Sequence, residues 1–286
     1  MRRGRWIDGV LGTLVVVTCA VTASPARAQT GEPPPGTFTL DRMDESSRFG
    51  VQASFEKIDN VDLSDGFVMR YELYGQYVLP SRLIGFYGQL PFAHLFDFDG
   101  AGTDYNALAN LDVGAFVLPT HRSDLILRLG LALPTASENS TRALTNVVAS
   151  YERITDLLLA IPNYTTLRLS ASTLQETGIA FFRADLGLDV VVDRPSNRTG
   201  ASAFLRANVA AGVRLAALDL TAELVNLGAL NGPDAGGITN RFVHTLAFGL
   251  STRGTDQFHV GTVFPLDKSV RGDIWILSVG YQHAMN

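Results

Sequence analysis

Charged side chains recur on every second residue along much of this chain, and that spacing limits the chemistry they can do. In Phe182–Asp193, FRADLGLDVVVD, Arg183, Asp185 and Asp189 share one face of an extended segment, while Ala184, Leu186, Leu188 and Val190 share the other. The same alternation sets Arg70, Glu72, Asp112, Arg128, Arg168, Arg206, Arg214, Asp219 and Glu223 on equivalent faces, which makes six arginines and six carboxylates in all. Gathered around water, such groups form rings of charge that select ions. Gathered without water, they pair with one another and close the space between them. Equal numbers of each sign leave both outcomes open.

Catalytic constellations are not offered. The sequence has no G-x-S-x-G, no H-E-x-x-H and no glycine-rich phosphate loop. His94, His121, His244, His259 and His283 are scattered, and His244, expected on an outer face, has no serine in register beside it. No enzyme is predicted. In FDFDGAGTDYN, Asp97, Asp99 and Asp104 with Gly100 and Gly102 resemble a calcium loop. That motif needs oxygen ligands at its fifth and twelfth positions, where Ala101 and Leu108 stand. An acidic external loop is the expectation there, and no metal or cofactor is implied.

The elements that must position the charged faces are long strands. They are expected at about 48–58, 67–79, 82–95, 106–118, 123–134, 165–173, 177–192, 201–214, 217–227, 240–252, 257–265 and 272–285, twelve in number. Most alternate over a length that suits a tilted strand crossing a bilayer. The faces opposite the charges are aliphatic: Leu125, Leu127, Leu129, Leu131 and Leu133 in one strand, Leu205, Ala207, Val209 and Val213 in another. Connections alternate between short (Pro80-Ser81, for example) and long (135–164) without exception. Short periplasmic turns, longer external loops and an even strand count are the marks of a closed outer-membrane barrel. Lipid would lie against the aliphatic faces and the charges would line the lumen. A soluble sandwich or lipocalin-like barrel would turn the aliphatic faces inward instead. Aromatic residues near the ends of the outward faces, Phe67, Tyr77, Phe86, Phe92, Phe264, Trp275 and Tyr281, fit interfacial girdles.

The start of the chain supports export. Arg2, Arg3 and Arg5 precede an apolar run from Val10 to Ala23, and Ala26-Arg27-Ala28 is an A-x-A site, so residues 1–28 are expected to be a signal peptide. Cleavage there removes the lone cysteine, Cys19, and leaves 19 basic against 27 acidic residues, a net charge of −8. Disulfides, thiol chemistry and a nucleic-acid partner are thereby disfavoured. Residues 29–47, with three consecutive prolines, read as a flexible periplasmic leader ahead of a barrel spanning 48–286.

Within the long connection 135–164, Leu144, Val147, Val148, Tyr151, Ile154, Leu158 and Ile161 recur at helical spacing over Thr141–Ile161. Ser140 or Thr141 could cap this amphipathic helix and Pro162 would stop it. Arg142, Glu152, Arg153 and Asp156 make its polar face. Such a helix could serve as a lid or plug, lie at the lipid interface, or brace the rim.

The runs LRLGLALPTA (Leu127–Ala136) and GDIWILSVGYQHAM (Gly272–Met285) resemble outer-membrane transporter-like barrels, most nearly the meta-pathway phenol-degradation family, over roughly Arg48 to Asn286. Those barrels usually end in an aromatic residue, whereas this chain ends Ala284-Met285-Asn286. The resemblance implies an outer-membrane channel for passive passage of small molecules, apolar compounds among them, with lipid and the barrel assembly machinery as partners. A monomer is expected, and the solute is not identified. The alternative is a plugged structural or adhesive barrel that acts through its external loops.

Overall fold

The computed structural model describes residues 39–40, 46–58, 67–96, 104–119, 124–196, 200–231, 242–267 and 271–285. The expected signal peptide, most of the leader, Asp97–Gly102 of the acidic loop and His121 lie outside the described residues.

Strands form where the alternation predicts them: β1 (Ser47–Ile58), β2 (Phe67–Val78), β3 (Ile84–Phe96), β4 (Tyr105–Leu108), β5 (Leu111–Val117), β6 (Leu125–Leu133), β7 (Thr165–Thr177), β8 (Ala180–Asp193), β9 (Ala203–Arg214), β10 (Leu218–Ala229), β11 (Phe242–Thr252), β12 (Asp256–Pro265) and β13 (Ile274–Met285). Each pairs antiparallel with its neighbours, and β1 pairs with β13, so the sheet closes on itself. The result is an all-β, closed antiparallel barrel of twelve staves. β4 and β5 are two pieces of one stave, because they pair with successive stretches of β3. The sequence predicts that stave as a continuous strand. Opposite the break stands Pro91, which has no N–H to donate and only accepts, from Ala109 N at 3.0 Å. The turn between β7 and β8 also falls later than predicted: Leu174-Gln175-Glu176 belong to β7, and the chain reverses at Gly178, whose φ of 59° favours glycine.

The aliphatic face is the outside. Leu73, Leu129 and Leu186 are each about half exposed, while Arg70, Glu72, Arg183 and Asp185 on the opposite faces are buried. A soluble barrel would reverse this arrangement. The outward band therefore fits hydrocarbon, and closure through β1 and β13 pairs the two end strands of the wall with each other. Among the described residues no helix is long and apolar enough to cross a membrane.

A narrow interior must still accommodate large inward side chains. Inward glycines sit directly across from such groups, among them Gly50 from Tyr74, Gly85 from Phe116, Gly114 from Tyr87, Gly187 from Arg206, Gly212 from Phe181 and Gly280 from His259. Each lets the larger group lie along the wall instead of standing into the lumen. At Gly187 a Cβ would stand 2.8 Å from the Arg206 guanidinium. Near the short-turn end, Val78, Phe116, Leu118, Ile126, Leu174 and Phe181 form an apolar cluster.

Candidate functional site

The lumen is occupied by the long connection between β6 and β7. The predicted continuous helix over 141–161 is not what forms. Helix α1 (Ser140–Ala149) is capped by Asn139, whose side-chain oxygen accepts from Thr141 N at 3.0 Å and Arg142 N at 3.4 Å. It ends at Ser150, and the chain then descends through a 3₁₀ turn, Ile154–Asp156, and a single helical turn, Leu157–Ala160. Val148 packs with the inward ends Val68, Ala247, Val263 and Ile276, which seals the end away from the short turns. Ile154 and Leu158 are buried farther along, Val147 and Tyr151 are partly buried, and Leu144 remains 41% exposed. The break explains the difference: past Ala149 the apolar residues no longer share the stripe that Leu144 begins.

Unwinding frees the polar residues for a different task. Glu152, Arg153 and Asp156, expected on the polar face of the helix, are among the most buried charges of the described residues. Arg70 holds the loop to β2, with Nη1 to Glu152 Oε2 at 2.8 Å, Nη2 to Asp156 Oδ2 at 3.2 Å and Nη2 to Glu72 Oε2 at 2.5 Å. Gln52 Nε2 and Ser278 Oγ donate to Glu152 Oε1 at 2.8 and 2.5 Å. Arg153 lies 3.0 Å from Asp156 and 3.8 Å from Glu72. Across the lumen, Arg168 reaches Asp156 at 3.2 Å, Asp112 at 2.7 Å and the Thr155 carbonyl at 3.0 Å. Asp189 continues the chain of charges to Arg168 at 3.6 Å and Arg206 at 3.0 Å. Each charge is compensated at close range, which is what allows so many to leave water together.

All twelve charged residues singled out in the sequence face inward, ten of them buried and Arg128 and Arg214 partly exposed. They do not form one ring. Arg70, Glu72, Asp112, Arg168, Asp189 and Arg206 converge on the loop. Arg183 and Asp185 pair with each other through two contacts of 3.0 and 2.9 Å. Arg214 lies at the short-turn end, 3.1 Å from Glu176 and 3.9 Å from Asp219. Arg128 donates to Ser172 Oγ at 3.3 Å and stands 5.9 Å from the centre of the Phe116 ring.

Glu223 has another partner. Its Oε2 accepts from Thr39 N at 2.8 Å, Thr39 Oγ1 at 2.6 Å and Leu40 N at 3.3 Å. Leu40 is fully buried against Ile154, Ala210, Val225 and Leu227. Two residues of the leader that the sequence assigns to the periplasm are thus seated inside the barrel.

Asn110, at the break between β4 and β5, is a functional position that the sequence reading passes over. Its Nδ2 donates to the Ile161 carbonyl at 2.8 Å, its backbone N to the Leu159 carbonyl at 2.7 Å, and its Oδ1 accepts from Ala136 N at 2.9 Å. It therefore ties both ends of the long connection to the wall. A polar residue at a strand position where the alternation falters was the available signal.

On the short-turn side of the loop a small hollow of about 40 Å³ remains, lined in part by Tyr74, Tyr87, Gln89, Asp112, Arg128, Arg153, Arg168 and Arg206. The described histidines are not part of that lining. His244 sits by Asp267, its Nδ1 3.2 Å from Oδ1, and His283 by Asp256 at 2.8 Å.

This geometry has counterparts among solved structures. A COG4313 outer membrane channel from Pseudomonas putida F1 superposes with a TM-score of 0.57 at 14% identity, covering 88% of this chain and 99% of that one. Looser likenesses are LpxR from Salmonella typhimurium (TM-score 0.48, 12% identity, 82% and 100% covered) and the CymD monoaromatic hydrocarbon channel (TM-score 0.46, 8% identity, 85% and 90% covered). No protein-family model matches this chain, and no curated protein does. The first likeness supports the fold, that of a closed outer-membrane β-barrel.

Proposed function

We propose that this chain is a monomeric channel of the bacterial outer membrane, exported by a cleaved signal peptide, for passive passage of small molecules, apolar compounds among them. The observation that carries the reading is the manner in which the lumen is closed. The loop from Glu152 to Asp156 is fastened to the wall by ion pairs on both sides of the interior. A packed apolar plug has no alternative partner in water, whereas charged groups regain hydration when they separate. When such a closure opens, the hydration its charged groups regain offsets part of the cost of exposing the apolar seat. The fold shared with a protein described as an outer membrane channel supports the same reading. In it, the inward arginines and carboxylates line the path, and Val148, Ile154 and Leu158 seat the plug.

The test is electrical. The mature chain, folded into a planar bilayer, is expected to show discrete conductance steps. Replacing Glu152, Arg153 and Asp156 together with serine is expected to raise the open fraction severalfold. Silence in both proteins would reject passage of ions and favour the second reading, a plugged structural or adhesive barrel. The complete burial of the loop charges is the observation on that side.

A further inference from the structure

At the end of the lumen sealed by the long connection, one carboxyl lacks the compensation that the charges of the loop receive. Glu56 is fully buried on the inner face of β1 and stands in register between Val68 of β2 and Ile276 of β13. Both belong to the apolar seal that Val148 and Ala149 of α1 complete. The carboxyl accepts from Ser54 Oγ at 3.4 Å; among the described residues its Oε2 has no hydrogen-bond partner, and no cation pairs with either oxygen. Resting on the channel reading, we propose that Glu56 is a proton switch for the loop: the closed lumen holds the carboxyl uncharged, and loss of its proton to water goes with opening.

The groups around Glu56 offer an anion little support. Arg70 faces it from β2, and its guanidinium is already committed to Glu72, Glu152 and Asp156. Glu152 and Tyr151 face it from the loop, the first a like charge and the second packed on the seal. β13 brings Ile276 and the hydroxyl of Ser278, which donates to Glu152. An anion without a counter-ion costs far more to bury than the neutral acid does. Water reaches Glu56 when α1 lifts from Val68 and Ile276, and there the carboxyl can ionise. The anion then repels Glu152, through which the loop is tied to Arg70 and Gln52. The closed state therefore carries one proton more than the open one. Raising the pH favours opening, by at most about ten-fold in the open-to-closed ratio per pH unit for one proton, and acid favours closure.

Cleavage of residues 1–28 leaves a chain without cysteine, so a single introduced thiol can report on the seal. Val148→Cys, in the mature chain folded into lipid vesicles, is exposed to a water-soluble maleimide and labelled when α1 lifts. The same measurement is made with Glu56→Gln added, and the two labelling rates are compared at each pH, so that ionisation of the thiol itself cancels. The ratio of parent to Glu56→Gln is expected to rise about five-fold or more between about pH 5.5 and about pH 8.5, because the amide has no proton to lose. Glu56→Met, also unable to ionise, is expected to match Glu56→Gln. Both are expected to fold, by heat-dependent gel mobility, since the closed lumen already holds an uncharged group. A flat ratio, or failure of both variants to fold, would overturn the switch. Conductance is recorded separately. Openings with the same pH dependence in the parent and in Glu56→Gln lose the switch and keep the channel. A labelling ratio that rises in a barrel that neither conducts nor passes solutes into vesicles keeps the switch and loses the channel.

Discussion

The two halves of the lumen are filled by opposite means. Away from the short turns, a loop descends and is tied by charge to β2 and β7 through Arg70 and Arg168. Toward the short turns the wall fills its own interior, with rings laid over glycines, an apolar cluster around Phe116, and a hollow left between. The first arrangement depends on partners brought from a connection and can be undone one contact at a time. The second is written into cross-strand register and cannot move without moving the wall.

Substitutions can break this comparison or sharpen it. Arg70→Ala is expected to have the largest effect, a loss of about 3–5 kcal/mol in urea-induced unfolding from lipid vesicles, because Glu72, Glu152 and Asp156 would each lose a buried counter-charge. Gly130→Val tests the other half: the new side chain would collide with the Tyr87 hydroxyl, and a loss of about 1–3 kcal/mol is expected, without release of the loop. Equal losses in the two variants, or a loop made protease-sensitive by Gly130→Val, would dissolve the distinction. Arg214→Gln should matter least, about 1–2 kcal/mol in the same unfolding measurement, because Glu176 at 3.1 Å is its one close carboxylate and Asp219, 3.9 Å away, also has Arg253 at 3.9 Å.

The wall was legible because a strand in a barrel has only two faces, and each faces a different medium. Leu125, Leu127, Leu129 and Leu131 against Arg128 is a local pattern, and local patterns survive in a single sequence. The twelve charges could be assigned to the interior for the same reason. Their partners could not. Pairing Arg70 with Glu152 and Asp156 joins positions 82 and 86 residues apart, a distance that no periodicity spans. The helix misled for a related cause: Glu152, Arg153 and Asp156 look like a solvated stripe until the wall supplies Arg70 and Arg168, at which point leaving the helix becomes the better arrangement. The glycines opposite Tyr74 and Tyr87 are silent in isolation, since their role is defined by what lies across the strand.

The seat of Thr39 and Leu40 has a consequence for the order in which the barrel is made. The wall closes along a seam where β1 meets β13, from Ser47 opposite Met285 to Ile58 opposite Ile274. Thr39 and Leu40 precede β1 by a few residues, and their partners Glu223, Val225 and Leu227 lie on β10, far along the chain. They must therefore be drawn to the inner side before the seam forms, or threaded in afterwards through the short-turn end. In the first case the nascent barrel rolls shut around its own beginning, and the last strand to arrive locks inside what the first residues brought with them.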